Sequence, residues 1–157
     1  MAITLIQTQT ASGSSQLDFT TGISGTYNNY MIIVNQLRNV QNDFAYLVAQ
    51  ISTNGGSSYI SSNYKDLFNS SNIGLGITGL QETDSTTSST TYIYNLTSGS
   101  GYIMTSSYGA IFGNPNISAD ANNAMYTTAN TSANALRIKM SDSTNFSATV
   151  SLYSITT

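Results

Sequence analysis

Side chains able to carry chemistry are sparse in this chain. It contains no His and no Cys, which removes the usual general base of hydrolytic schemes and the soft ligands of zinc sites. A pair of carboxylates could still cleave a glycosidic bond, and Glu82 with Asp84 is the one close pair among seven acidic residues. They sit among Ser and Thr, where nothing would bury and tune an acid, so a solvated loop is the simpler account. Asp142-Ser-Thr-Asn145 and Asp120-Ala-Asn-Asn123 offer oxygen ligands of the kind calcium accepts. Neither has EF-hand spacing, and Asp and Asn favour turns without any metal. Gly99-Ser-Gly101 and Gly74-Leu-Gly76 lack the Lys-Ser/Thr that completes a phosphate loop, and they read as bends or bulges. Sequons such as Asn95-Leu-Thr97 and Asn116-Ile-Ser118 are expected by chance in so Asn-, Ser- and Thr-rich a chain. No catalytic residue, metal ligand or cofactor follows from these patterns, and an enzyme is not expected.

Tyrosine is the more informative residue type. Tyr92, Tyr94, Tyr102 and Tyr108 cluster in the second half of the chain, and Tyr supplies a rigid, amphipathic surface to a protein or a sugar. These four form the candidate contact surface. The competing account is that Tyr forms strands well and must also fill a core in a chain with no Trp and five Phe. On a strand Tyr92 and Tyr94 share one face, so both point inward or both point outward.

Composition narrows the partners. Charged residues make up 7% of the chain against a typical ~25%. Ser, Thr and Asn, about two residues in five, must cover the surface instead. Eleven Tyr, five Phe and repeated Ile, Leu and Val runs argue for a folded core rather than disorder. The cations are Arg38, Lys65, Arg137 and Lys139 and the net charge is -3, so there is no basic stripe for nucleic acid. The longest apolar run, Met31 to Val34, is far short of the ~20 residues of a spanning helix. Met1 to Thr10 has no cationic start or continuous apolar core, and so does not resemble a secretory signal. The protein is therefore expected to act where it is made or inside a larger particle.

The elements that must position these residues read as strands. Leu136, Ile138 and Met140 alternate with Arg137 and Lys139, and Phe146, Ala148, Val150 and Leu152 alternate with Ser147, Thr149 and Ser151. The turn residues between them predict a C-terminal hairpin. Phe44 to Ile51 places Ala45, Leu47, Ala49 and Ile51 on one face and ends at Asn54-Gly55-Gly56, a sequence suited to positive φ. Tyr30 to Leu37 is apolar enough for a central strand covered on both faces. Ile3 to Thr8 and Gln16 to Phe19 are two further strands broken by Ala11-Ser12-Gly13-Ser14. Thr90 to Leu96 and Tyr102 to Phe112 add two more, and Ala124 to Ala129 a weaker one. Gln81 to Ser89 reads as an exposed loop, Asn69 to Leu80 has no clear assignment, and Lys65 to Phe68 has room for one helical turn. About nine strands in 157 residues predict a single all-β domain over 1–157, a sandwich of two antiparallel sheets of jelly-roll or Ig-like type.

Three stretches also carry a resemblance. They are Ile3-Thr-Leu-Ile-Gln-Thr-Gln-Thr-Ala-Ser12 with Leu17-Asp-Phe-Thr-Thr-Gly-Ile23 and Tyr27-Asn-Asn-Tyr30, then Gln50-Ile-Ser-Thr-Asn-Gly-Gly-Ser-Ser-Tyr59, then Ile138-Lys-Met-Ser141 with Val150-Ser-Leu-Tyr-Ser-Ile155. Together, over about a third of the chain, they resemble a group of small bacteriophage virion proteins of the jelly-roll type. The resemblance implies a β-sandwich in the virion, made in the host bacterial cytoplasm, and carries no catalytic residues with it. It implies either a capsid decoration (cement) protein, expected as a homotrimer on the major capsid protein, or a tail fibre or tip module that holds a host glycan. Asp18-Phe19-Thr20 within it reads as a buried Phe whose neighbours bond to local backbone.

Overall fold

A computed structural model describes residues 2–39, 45–66, 73–75, 86–112, 117–126 and 128–156. Among these residues the regular elements are all strands: β1 (Ala2–Ser14), β2 (Gln16–Phe19), β3 (Asn29–Asn39), β4 (Leu47–Ser52), β5 (Tyr64–Asp66), β6 (Ile73–Gly74), β7 (Thr86–Tyr94), β8 (Met104–Phe112), β9 (Ile117–Tyr126), β10 (Ala135–Met140) and β11 (Phe146–Thr156). They build two antiparallel sheets, a seven-stranded one in the order β1-β11-β3-β7-β8-β9-β5 and a four-stranded one in the order β2-β10-β4-β6.

Setting β5, β8 and β9 aside, the pairing of the remaining strands is nested. The first strand pairs with the last (β1 with β11), the second with the second-last (β2 with β10), then β3 with β7 and β4 with β6. A ribbon doubled back on itself and rolled into two sheets gives this order, so the expected sandwich is of the jelly-roll kind. β8 and β9 continue from β7 as a meander, with β5 beyond them, and widen the large sheet.

Alternation explains which side chains meet. Along β11 the inward set is Phe146, Ala148, Val150 and Leu152; along β10 it is Leu136, Ile138 and Met140. Phe19, Tyr30, Ile32, Val34 and Leu37 join them, all fully or almost fully buried. Tyr30 is held by its own loop: its phenol donates to the Ser24 carbonyl at 3.0 Å and accepts from the Ser24 N–H at 3.1 Å. The Asn54-Gly55-Gly56 turn forms as expected, with both glycines at positive φ. At Gly56 a Cβ would come within 2.7 Å of Thr20 Cγ2, so the turn admits no side chain there.

Several expectations change. The predicted C-terminal hairpin does not form: the 141–145 segment does turn, with the Ser143 N–H on the Met140 carbonyl, but β10 pairs with β2 and β4 while β11 pairs with β1 and β3. In a rolled ribbon consecutive strands cross from one sheet to the other, and the turn residues of a hairpin serve such a crossing equally well. The break expected at Ala11 to Ser14 falls instead at Ser15, between β1 and β2, because β1 continues to Ser14 with a register shift between Ala11 and Ser14. Thr86–Ser89, expected in a loop, opens β7, and Thr87 and Ser89 are buried. Lys65 and Asp66 lie in β5 rather than a helical turn. β9 starts at Ile117 and ends at Tyr126, with Ala129 in a turn, so the weaker strand expected over Ala124 to Ala129 is shifted toward the N-terminus. β3 is central, but its outer side is only partly shielded: Met31 is buried and Ile33 half-buried. Phe44, Phe68 and most of Asn69 to Leu80 fall outside the described residues.

Tyr64 ties the long connection after β4 to the core. Its phenol donates to the Ile60 carbonyl at 3.0 Å and accepts from the Ile51 N–H at 3.1 Å, while its ring lies 5.2 Å from that of Tyr126. Tyr64→Phe keeps the packing but strips a buried donor of its partner, so a loss of about 1–3 kcal/mol is expected in urea unfolding.

Candidate functional site

β7 is the element that decides where the tyrosines point. Its inward positions carry Thr87, Ser89, Thr91 and Ile93, and its outward positions end in Tyr92 and Tyr94. Tyr92 and Tyr94 therefore go outward together. On β8 the register sets Tyr108 opposite Thr90, Ser106 opposite Tyr92 and Met104 opposite Tyr94, so Tyr108, Ser106 and Met104 share that outer face. Tyr92 and Tyr108 are diagonal neighbours, a spacing long aromatic side chains bridge; their rings lie 5.9 Å apart at 43°. A hydrogen bond with Tyr92, then desolvation and then the neighbouring phenols of Tyr92 and Tyr94, raise the Tyr108 phenol above its ordinary value. Tyr102 lies outside the strands, in the loop that leads into β8, with its carbonyl accepting from the Asn95 side chain at 3.3 Å. Tyr94, Tyr102, Met104 and Tyr108 are 39%, 46%, 45% and 49% exposed.

The face continues across the sheet beyond what the sequence pattern indicated. The pairings place Leu5, Tyr153, Met31, Tyr92 and Ser106 in one cross-strand row, with Ile3 and Ile155 in an adjacent pair. Ile3 and Leu5 are exposed at its far end. Ile3, Leu5, Tyr94, Met104 and Tyr108, five half-exposed large side chains on these strands at ~100 Å² each, make roughly 500 Å², the size at which a surface patch is often functional. β1, β7, β8 and β11 contain no Asp, Glu, Lys or Arg, and β3 between them carries one charge, Arg38, opposite Ser147 and toward the far end of the strand from Met31, so the part of the face around the tyrosines is aromatic, hydroxylic and neutral. Met104, Ile3 and Leu5 carry no signal of this role in the sequence, since alternation alone does not say which face of a strand meets the second sheet.

The other motifs have structural duties. Asp18 does not rest on local backbone through its carboxylate; it takes a bidentate contact from Arg137, Nε to Oδ1 at 2.7 Å and the terminal nitrogen to Oδ2 at 2.8 Å. The guanidinium also stacks 4.0 Å from the centre of the Tyr59 ring. This cluster fastens β2 to β10, where Asp18 and Arg137 are directly paired. Asp142 Oδ1 accepts from the Thr144 N–H and hydroxyl at 3.0 and 2.7 Å, closing a turn. Asp120 to Asn123 lies within β9. Gly99 and Gly101 take positive φ in the loop before β8. Gly74 lies in β6, while Gly76, Glu82 and Asp84 are outside the described residues. Among the described residues no group of three or more His, Cys, Asp or Glu side chains comes together. Two surface depressions there, of about 210 and 220 Å³, fall below the ~300–1,000 Å³ of small-molecule pockets.

Buried phenols bear on alkaline stability. Burial raises Tyr30, Tyr59 and Tyr64 above the ordinary 10.0. Above pH 10 the unfolded chain therefore loses protons that the folded chain keeps, and stability falls as pH rises. Urea midpoints are expected to hold steady to about pH 9 and drop steadily toward pH 12, with a smaller drop in Tyr64→Phe.

The fold and the site define a jelly-roll sandwich that presents a neutral aromatic sheet face. No protein-family model, curated protein or solved structure matches the chain.

Proposed function

We propose that this protein works by surface contact rather than catalysis, as a capsid decoration (cement) subunit that seats on the major capsid protein of a bacteriophage shell and reinforces the head. The observation that carries the contact reading is the outer face around Tyr92, Tyr94, Met104 and Tyr108, large and exposed yet free of charge on its strands. Tyr and Met are the residue types enriched where proteins meet, and charge is depleted at the centres of such contacts. The virion setting rests on the resemblance of the three stretches above. Binding through a neutral face should depend weakly on ionic strength. Electron microscopy of labelled virions, with copy number per particle, tests the placement: hundreds of copies over the head are expected, and a handful at the tail would overturn it. Virions that lack the protein and keep full heat resistance would remove the cement role.

A second reading has its own support. The tilted Tyr92 and Tyr108 rings lie among the hydroxyls of Thr90 and Ser106, and an aromatic surface beside hydroxyls also fits a sugar. A tail module holding a host glycan would show attachment to host cells or a glycan array, which a head protein would not.

A further inference from the structure

Among the described residues, one edge of the large sheet is left open. Four strands stand at sheet edges, β1 and β5 in the large sheet and β2 and β6 in the small one. β5, β2 and β6 are three, four and two residues long, whereas β1 has 13. Folded proteins guard a long edge with Lys, Pro, β-bulges or a covering segment, because its free N–H and C=O groups recruit another strand. β1 carries no charged residue and no Pro. It is bonded to β11 along one side, and among the described residues no other element's backbone bonds to its free side. Ile3 and Leu5, next to that side, are 49% and 53% exposed.

We infer that β1 pairs antiparallel with β1 of a second copy of this chain, extending the large sheet across a two-fold axis. An antiparallel strand paired with itself repeats each hydrogen-bonded pair about the axis, so one surface supplies both halves of the contact. The absence of charge matters most for a like partner, since any Lys or Asp near the axis would meet its own copy. Magnitudes set the strength. Thirteen residues at ~3.3 Å make an edge ~43 Å long, and at ~10 Å thick it covers roughly 430 Å² per copy, about half a standard interface of ~800 Å². Register shifts at Leu5/Gln7 and Ala11/Ser14 also twist the edge and divide the new ladder into short runs. A weak, concentration-dependent dimer follows, in place of the homotrimer that the resemblance implies. It does not rest on the decoration reading.

Sedimentation of the full chain from about 1 to 200 µM should show a two-chain species that grows with concentration. Leu5→Lys should raise the dissociation constant at least tenfold while circular dichroism stays native. Because the chain has no Cys, a Thr8→Cys variant can form a disulfide only between copies, and it should cross-link on oxidation where a Ser57→Cys control does not. The cross-link decides the matter even if Leu5→Lys fails to fold. A single-chain mass throughout, a three-chain species, or a dimer indifferent to Leu5→Lys with no Thr8→Cys cross-link would overturn the inference. Replacing Tyr94 and Tyr108 by Ser should leave the dimer intact, which keeps this result separate from the outer-face proposal.

Discussion

Phe19→Ala should lower the unfolding free energy by about 3–5 kcal/mol, the largest single-site loss expected in this chain. Phe19 is fully buried on β2, a strand of four residues paired with β10 alone. The ring is thus a main anchor of that strand to the core, alongside Leu17 and the Asp18–Arg137 contact on the other face. Truncation leaves a cavity that the paired strand is too constrained to fill, and the transfer and cavity terms add. For a chain of this length the melting temperature should fall on the order of 10 °C. Phe19→Leu, which refills most of the volume, should recover more than half of the loss. Equal stability for Phe19→Ala and wild type in chemical denaturation would show that β2 is not packed as described.

On the functional side, the combined replacement of Tyr94, Met104 and Tyr108 by Ser should reduce occupancy on virions by at least tenfold, while the melting temperature moves by little. Truncating an interface anchor costs about 2 kcal/mol or more, and each 1.4 kcal/mol is a factor of ten in affinity. The three side chains are 39%, 45% and 49% exposed and stand on the outer face of the large sheet, so their removal takes little from the core. Quantifying the protein on purified particles against urea midpoints of the same variants separates the two effects. Unchanged occupancy would place the contact elsewhere on the molecule.

Strand character was plain from local pattern wherever one face is apolar and the other polar. Leu136, Ile138 and Met140 against Arg137 and Lys139 is such a case, and β10 forms over the residues expected. The pattern faded where the inner face is itself hydroxylic. Thr86–Ser89 looked like a loop because Ser and Thr occupy both sides, yet the Thr87 and Ser89 side chains are buried under the large sheet. One link there is the hydrogen bond at 2.9 Å between Ser107 and Thr91. Burial of small hydroxylic residues leaves no apolar period to read.

By itself the sequence determined that strands form, where most of them lie, that two sheets enclose the aliphatic and aromatic core, and that Tyr92 and Tyr94 point the same way, because side-chain alternation is a local property of the backbone. Only the tertiary structure decided which strands pair and which way each face points. The four nested pairings join residues as far apart as Ala2 and Thr156, and a turn such as 141–145 bends the chain identically whether the next strand returns beside the last or crosses to the opposite sheet. The outward facing of Tyr94 and Tyr108, and the open edge of β1, follow from that global choice: each depends on what packs against the other side of the strand, and no short stretch of sequence contains that information.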